Sequence, residues 1–292
     1  METDDLTVLA IKHGTDKWGP HFYTPIYDRF FSPLRDRPVK LLEIGVGGYE
    51  HANIGGSSLA MWAEYFPNGE ITGIDIAPKT MDLGPRVTIR RGSQTDAAFL
   101  QALSRERGPF DIVIDDGSHL PRDVVASFVT LFPLMSNGFY VVEDVQTAFL
   151  KGLGGTPTGA ETFNLAQGLM LAIQHAEIAI ENPGVSGAEF GRTVRSFHSF
   201  HNLFMIEKGD NDEPSLFAMN TENPHFEAAF RQIEEQFRAT PLPATAAILA
   251  DMHGYVDREA AISFLAGARK TWPTDPRLRE METRFLRERV SV

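Results

Sequence analysis

No cysteine occurs anywhere in the 292 residues, and that absence removes several kinds of chemistry at once. Disulfides, a thiolate nucleophile and cysteine-held zinc or iron–sulfur clusters are excluded, and the composition is compatible with a reducing compartment. Positive charge is also scarce: 27 Lys and Arg stand against 39 Asp and Glu, for a net charge of −12 at pH 7. Nucleic acids and anionic membranes are recognised through basic patches, so neither is expected as the main partner. Missing too is any apolar run long enough to span a bilayer, and the opening "METDDLTVLAIKHG" is acidic where a secretory leader needs an apolar core. The expectation is a cytoplasmic protein acting on neutral or cationic small molecules.

From about Val39 to Val145 short apolar runs alternate with amphipathic helical stretches, the pattern of a parallel sheet with crossover helices. The predicted strands are "VKLLEIG", "EITGIDI", "RVTIRRG", "FDIVIDD" and "GFYVVED". Between them "SSLAMWAEYF", "TDAAFLQALSRER" and "PRDVVASFVTLFPLM" carry apolar residues at helical spacing. Two helices are predicted ahead of the sheet, around "LTVLAIKHG" and "TPIYDRFF". After it come the Gly-rich loop "LKGLGGTPTG", one helix over "TFNLAQGLMLAIQHAEIAI", and a β-hairpin turning at "HN" that adds antiparallel strands. The polar "GDNDEP" marks a boundary. From about Asn223 the chain reads as amphipathic helices punctuated by Pro241, Pro243, Pro273 and Pro276, with a faint tetratricopeptide-like pair in the last thirty-odd residues. The expected domains are an N-terminal helical cap over 1–38, an α/β core over 39–209, and a helical appendage over 210–292 that serves packing or oligomerisation. A homo-oligomer is the expected assembly.

The stretch "LLEIGVGGYEHANIGGSSLAMW" places an acid at a strand end, then glycines, then a helix. Glycines allow close backbone approach to a ligand, and helix-start N–H groups suit an anionic group. Asp75, ending the second strand, stands where an acid binds the two hydroxyls of a ribose. A dinucleotide-binding dehydrogenase would pass tightly from its glycines into the helix. Here Gly45, Gly47 and Gly48 are separated from it by the excursion "YEHANI", and Glu43 is placed to hold an ammonium group. That favours S-adenosylmethionine over NAD. The alternative is that Glu43 and Asp75 merely terminate strands.

Asp115 and Asp116 end one predicted strand, and Glu143 and Asp144 end its predicted neighbour. Crowded carboxylates are costly unless a cation or proton joins them. Oxygen ligands without cysteine suit a hard cation, Mg²⁺ first and Mn²⁺ or Ca²⁺ next. The competing reading makes Asp116, Gly117 and Ser118 a simple turn into the helix after Pro121. His119 overhangs the same place and is a candidate general base; His13, His21, His51, His198 and His201 read as ordinary surface or hydrogen-bonding residues.

Taken together, "HGTDKWGPHFYTPIYDRFF", the glycine loop through "ITGIDI", "RGSQTD", "IDDGSH" and "GFYVVEDV" resemble the metal-dependent sugar O-methyltransferases of actinobacteria, over about Ile11 to Gly209. That family includes macrolide-sugar, rhamnose and mycobacterial mannoside O-methyltransferases. The resemblance implies a class I methyltransferase (Rossmann-like) fold with a seven-stranded doubly wound sheet, S-adenosylmethionine as donor and a saccharide or glycoside as acceptor. It also implies roles by motif. Glu43, Gly45, Gly47 and Ser58 hold the methionine portion, Asp75 the ribose, and Ser93 and Gln94 border the adenine, with Asp116 beside the donor. Asp116, Glu143 and Asp144 hold Mg²⁺, or Mn²⁺ in its place, and His119 is the base. Lys17 and Tyr23 are candidate ligand contacts. The other readings are a catechol-type O-methyltransferase, a nucleotide-dependent dehydrogenase, and a non-catalytic module binding a partner through the tail.

Overall fold

In the computed structural model, residues 4–181, 188–213 and 224–287 are described. Pro214, closing the expected "GDNDEP" boundary, and Asn223, the expected start of the tail, lie outside them. The chain divides into two compact units, Met1–His175 with Val185–Asn211, and Ala176–Gly184 with Asp212–Val292.

In the first unit, α1 (Asp5–His13) starts at Asp4, whose carboxylate accepts the Thr7 N–H at 2.7 Å. It ends at Gly14 in left-handed conformation. After α2 (Thr24–Phe31) the alternation begins: β1 (Lys40–Ile44), α3 (Ser57–Tyr65), β2 (Glu70–Asp75), β3 (Val87–Arg91), α4 (Ala97–Arg107), β4 (Ile112–Asp115), α5 (Pro121–Leu131) and β5 (Gly138–Glu143). Helices α6 (Ala160–Ile173) and α8 (Ala188–Gly191) precede the hairpin of β6 (Val194–Phe200) and β7 (Leu203–Lys208); α7 (His175–Glu181), between them in the chain, falls from Ala176 onward in the second unit. The sheet runs β3-β2-β1-β4-β5-β7-β6. Its first five strands are parallel, β7 is antiparallel to β5, and β6 is antiparallel to β7. This is the seven-stranded doubly wound sheet expected from the sequence.

Strand residues alternate between faces, and the two cores follow that period. Leu42, Ile44 and Val113 face α4, α5 and α6, where Leu100, Phe128 and Leu169 meet them. Leu41, Ile112 and Ile114 face α1, α2 and α3, against Leu6, Tyr27 and Trp62. Each such side chain removed from water contributes roughly 1.5–3 kcal/mol. The same alternation decides which way the acids at the strand ends point.

Two helices end earlier than the apolar spacing predicts. α5 stops at Leu131, and a 3₁₀ turn over Phe132–Leu134 contains Pro133, which cannot donate to a continuing helix. The single helix expected over 162–180 is broken at Gln174 into α6 and α7. There the Asn211 amide donates to the Ile173 carbonyl at 3.0 Å and to the Gly191 carbonyl at 2.8 Å, and the His175 ring meets the Asn211 carbonyl at 2.9 Å.

The second unit contains α9 (Pro224–Ala239), α10 (Pro243–Val256), α11 (Arg258–Thr271) and α12 (Pro276–Arg287). Pro243 occupies the first turn of α10, where a missing N–H costs nothing. Its own core is built on Ala246, Ala250, Ala261, Leu265, Leu278 and Phe285. Among the described residues, no helix is long and apolar enough to cross a membrane.

Candidate active site

β1, β4 and β5 lie side by side and end at one edge, so their terminal acids converge. Period-two alternation then separates them. Asp115 shares the face of Val113 and turns toward α5, away from the edge. There it accepts from Ser127 Oγ, with Gln94 Nε2 at 3.1 Å and Tyr140 Oη at 3.4 Å, and burial pushes its carboxyl up to about 6. Glu43 and Glu143 share the faces of Leu41 and Val141 and turn toward α1 and α2. Both are buried.

A lysine meets them there. Thr15 N–H donates to the Ala10 carbonyl, and Tyr23 N–H to the Lys17 carbonyl at 3.1 Å. A bridge between Trp18 and Phe22 folds the segment after α1 into a loop that drives Lys17 inward. Its ammonium is fully buried and lies 2.6 Å from Glu143 Oε1, 2.9 Å from Asp116 Oδ2 and 3.2 Å from Glu43 Oε1. The Tyr27 hydroxyl also donates to Glu143 Oε1, at 2.5 Å. Burial alone would lower the Lys17 pKa, but Asp116, Glu143 and Glu43 together raise it well above its ordinary value, so the ammonium stays charged. Burial raises Glu143 strongly, with Asp116 adding to the effect, and burial raises Glu43 as well. One buried cation is thus shared by three acids, two of them shifted toward the protonated form. Neither Glu43 oxygen receives a well-aligned hydrogen bond, the Lys17 contact being an ion pair without hydrogen-bond alignment.

Beyond the strand ends, one oxygen or nitrogen each from Asp116, His119 and Asp144 lies within 4.8 Å of the other two. His119 Nε2 stands 4.0 Å from Asp116 Oδ1 and 3.7 Å from Asp144 Oδ2, too far for hydrogen bonds and suited to groups that share a bound cation. Both His119 (φ 57°) and Asp144 (φ 54°) are left-handed without being glycine. Such conformations are costly and concentrate at functional sites. The turn at His119 is held by Thr147 Oγ1, which donates to its carbonyl at 2.9 Å. Asp144 accepts from Tyr23 Oη at 2.7 Å and Gln146 Nε2 at 3.1 Å, with His21 Nδ1 at 3.5 Å. Burial would raise the Asp144 carboxyl, but the Tyr23 and Gln146 bonds bring it below its usual value. It is held ionised. The expected ligand set of Asp116, Glu143 and Asp144 is thus arranged as two clusters. Asp116 and Asp144 meet His119, while Glu143 lies beneath them with one oxygen held by Lys17 and Tyr27.

A cleft of about 780 Å³ runs from this cluster along the ends of β1 and β2. Gly45, Gly47, Ser58, Asp75, Ser93, Gln94, Asp116 and His119 all line it. Gly45 has no alternative. A Cβ there would sit 2.0 Å from the Asp116 carbonyl oxygen, and its φ is 95°. At Gly48 a Cβ would sit 2.0 Å from the Ile54 carbonyl oxygen, because the "YEHANI" excursion folds back on the glycine loop. α3 begins after Gly56 without a side-chain cap, so its first N–H groups suit a carboxylate. Asp75 accepts from Val46 N–H at 3.1 Å and Ala77 N–H at 2.8 Å. It braces the loop and still has lone pairs for two hydroxyls. Gln94 is a latch: its amide N–H₂ faces Asp115 while its oxygen accepts the Ser118 N–H at 2.7 Å. Only its apolar face is left for a base. Ser93 Oγ lies 2.9 Å from Thr95 Oγ1.

Sequence reasoning assigned Lys17 and Tyr23 no more than candidate ligand contacts, gave Tyr27 no role, and read His21 as ordinary. The signal for Lys17 was a charged residue inside an aromatic segment. The signals for Tyr27 and His21 were absent, since both act only through residues far away in the chain.

No protein-family model matches the chain. It is 43% identical over 218 residues, 73% of its length, to 8-demethyl-8-(2-methoxy-alpha-L-rhamnosyl)-tetracenomycin-C 3'-O-methyltransferase of Streptomyces olivaceus, covering 56% of that protein. It is 44% identical over 218 residues to mycinamicin VI 2''-O-methyltransferase of Micromonospora griseorubida, covering 54% of it. The chain therefore spans little more than half the length of these relatives. Among solved structures, the MycE methyltransferase of the mycinamycin pathway in complex with Mg and SAH superposes with a TM-score of 0.68 at 40% identity, over 78% of this chain and 60% of that one. A second MycE structure holds Mg, SAH and mycinamycin VI, with a TM-score of 0.64 at 40% identity, over 75% of this chain and 58% of that one. The matched part of the chain is thus similar to sugar O-methyltransferases of actinobacteria, and its sheet is that of a class I methyltransferase.

Proposed function

We propose that this protein transfers the methyl group of S-adenosylmethionine to a sugar hydroxyl of a glycosylated natural product or an oligosaccharide, with a divalent cation at the strand edge. The observation that carries this reading is the meeting of Asp116, His119 and Asp144 within 4.8 Å at the border of the glycine-lined cleft. The ligands on offer are carboxylates, with no soft donor, which suits Mg²⁺ or Mn²⁺, and His119 stands beside them. Asp116 and Asp144 hold the metal, and the free oxygen of Glu143 is the third ligand proposed. When bound, the cation supplies Lewis-acid polarisation of the sugar hydroxyl.

The remaining work belongs to the chain. Glu43, Gly45, Gly47 and Ser58 hold the methionine end of the donor, Asp75 its ribose, and Ser93 and Gln94 flank its base. His119 removes the hydroxyl proton at Nε2. The sugar oxygen then forms its bond to the methyl carbon as the carbon–sulfur bond breaks, leaving S-adenosylhomocysteine and a methyl ether. The loop from Leu150 to Gly159, directly after the metal acids, covers the acceptor. The relatives' names concern glycosylated macrolide and tetracenomycin compounds, and rhamnosides or macrolide glycosides are the acceptors to try first. Cytoplasmic location and a homo-oligomeric state are part of the same proposal.

The test is methyl transfer from labelled S-adenosylmethionine to a panel of glycosides, simple mannosides and aromatic diols. Methylation of a glycoside supports the reading. Turnover confined to aromatic diols would replace it with a catechol-type activity.

A further inference from the structure

We propose that Lys17 is a positioning residue that sets the donor and metal subsites at once, a reading that rests on the proposed function. The geometry is specific. Lys17 Nζ lies on Oδ2 of Asp116 at 2.9 Å, while Oδ1 of the same carboxylate is the oxygen toward His119. It lies on Oε1 of Glu143 at 2.6 Å, together with the Tyr27 hydroxyl, which leaves Oε2 unengaged by either. It lies 3.2 Å from Oε1 of Glu43, beneath the glycine loop. Asp116 and Glu143 therefore each have one oxygen anchored on the ammonium and the other not engaged by it, while Glu43 meets the ammonium as a buried acid under the loop.

The ammonium itself is fully buried, so it can contact neither the acceptor nor bulk ions. Its loop is fixed by the Tyr23 N–H bond to the Lys17 carbonyl and by the Trp18–Phe22 bridge, so its position does not depend on a ligand. Without it, the buried Glu43 and Glu143 and the half-buried Asp116 would face one another with no cation between them and would turn apart. The ligand-facing oxygens would then lose their aim in both subsites. Buried groups behind metal ligands commonly act this way. What is unusual here is that one side chain supports the acids of two different ligands.

The experiment measures binding, not turnover. Mn²⁺ affinity by electron paramagnetic resonance and S-adenosylhomocysteine affinity by calorimetry are compared for wild type, Lys17→Met and Glu43→Gln, with circular dichroism confirming the fold at low temperature. Lys17→Met is expected to weaken Mn²⁺ binding by roughly 10–100-fold, the range for losing an outer support of a metal ligand. It should weaken S-adenosylhomocysteine by about tenfold, as for one lost hydrogen bond to a charged group. If Lys17→Met does not fold, Glu43→Gln decides. Glu43 lies outside the Asp116, His119 and Asp144 cluster, yet its neutralisation should weaken Mn²⁺ severalfold by shifting Lys17 onto Asp116 and Glu143. Asp75→Asn, another donor-side acid but without a Lys17 contact, should leave Mn²⁺ affinity unchanged. A folded Lys17→Met with wild-type affinity for both ligands overturns the proposal, as does equal Mn²⁺ affinity in Glu43→Gln and wild type. Wild type that binds neither Mn²⁺ nor S-adenosylhomocysteine overturns instead the functional reading beneath it.

Discussion

His119 carries the sharpest question at the scale of single residues, because it lines the cleft and also meets Asp116 and Asp144. As the base, it should be replaceable for binding but not for turnover. His119→Ala is expected to lower kcat by roughly 10²–10⁴-fold with little change in donor or Mg²⁺ affinity. As a ligand or support of Asp116, its loss would instead weaken the metal, and saturating Mg²⁺ would restore the rate. Near wild-type turnover at high Mg²⁺ therefore removes the base assignment. Asp75 poses a milder question. Its carboxylate already receives the Val46 and Ala77 N–H groups, so Asp75→Ala should weaken S-adenosylmethionine by about 1–3 kcal/mol and loosen the loop as well. Unchanged calorimetric affinity would sink the ribose contact. How far these residues were legible in the sequence depends on what each one needs. Asp116, His119 and Asp144 are short-range features, acids and a histidine just past apolar runs, and pattern alone brings them together. The positive φ of His119 and Asp144 was not legible, since neither is a glycine. Nor was the Lys17 contact with Asp116 and Glu143, which joins residues 99 and 126 positions apart.

Elements were readable where one local rule governs them. The five parallel strands follow from apolar runs, the hairpin from its turn, and α1 from an Asp cap and a Gly stop. The break between α6 and α7 was not readable, because its cause is a distant amide. Apolar spacing continues through Gln174, and nothing in "LAIQHAEIAI" signals an end. Asn211 supplies that end by donating to the Ile173 and Gly191 carbonyls. Asn211→Ala would leave two carbonyls short of a donor, so unfolding in urea should show a loss of about 1–3 kcal/mol, a typical cost for polar groups left unsatisfied. A change within a few tenths of a kcal/mol would mean that water replaces the amide. Methyl-donor affinity should be unaffected, since the contact lies away from the glycine loop. The Gln94 latch is the opposite case, an element-level contact inside the site, tying the turn after β3 to the turn after β4.

The whole molecule carries a net charge of −12, and its strand edge concentrates that sign: Glu43, Asp116 and Glu143 meet the buried Lys17, and Asp144 lies beside Asp116 and His119. Such an edge gains from a second cation, which makes metal binding visible as stability. A ligand that binds only the folded state at about 100 times its Kd stabilises by about 2.7 kcal/mol. In a unit of this size that corresponds to a rise in Tm of roughly 5–10 °C, at roughly 2–4 °C per kcal/mol. Adding Mg²⁺ to EDTA-treated protein should therefore raise Tm, and EDTA should abolish methyl transfer until Mg²⁺ is restored. Asp144→Asn separates the site from general screening. Asp144 is bonded to Tyr23 and Gln146 at the surface of the cluster, so the variant should fold with little loss of metal-free stability yet show a much smaller rise with Mg²⁺. An equal rise in wild type and Asp144→Asn would assign the effect to ions elsewhere on the acidic surface. Full turnover in rigorously metal-free protein would remove the cation from the mechanism and leave His119 to activate the hydroxyl without it.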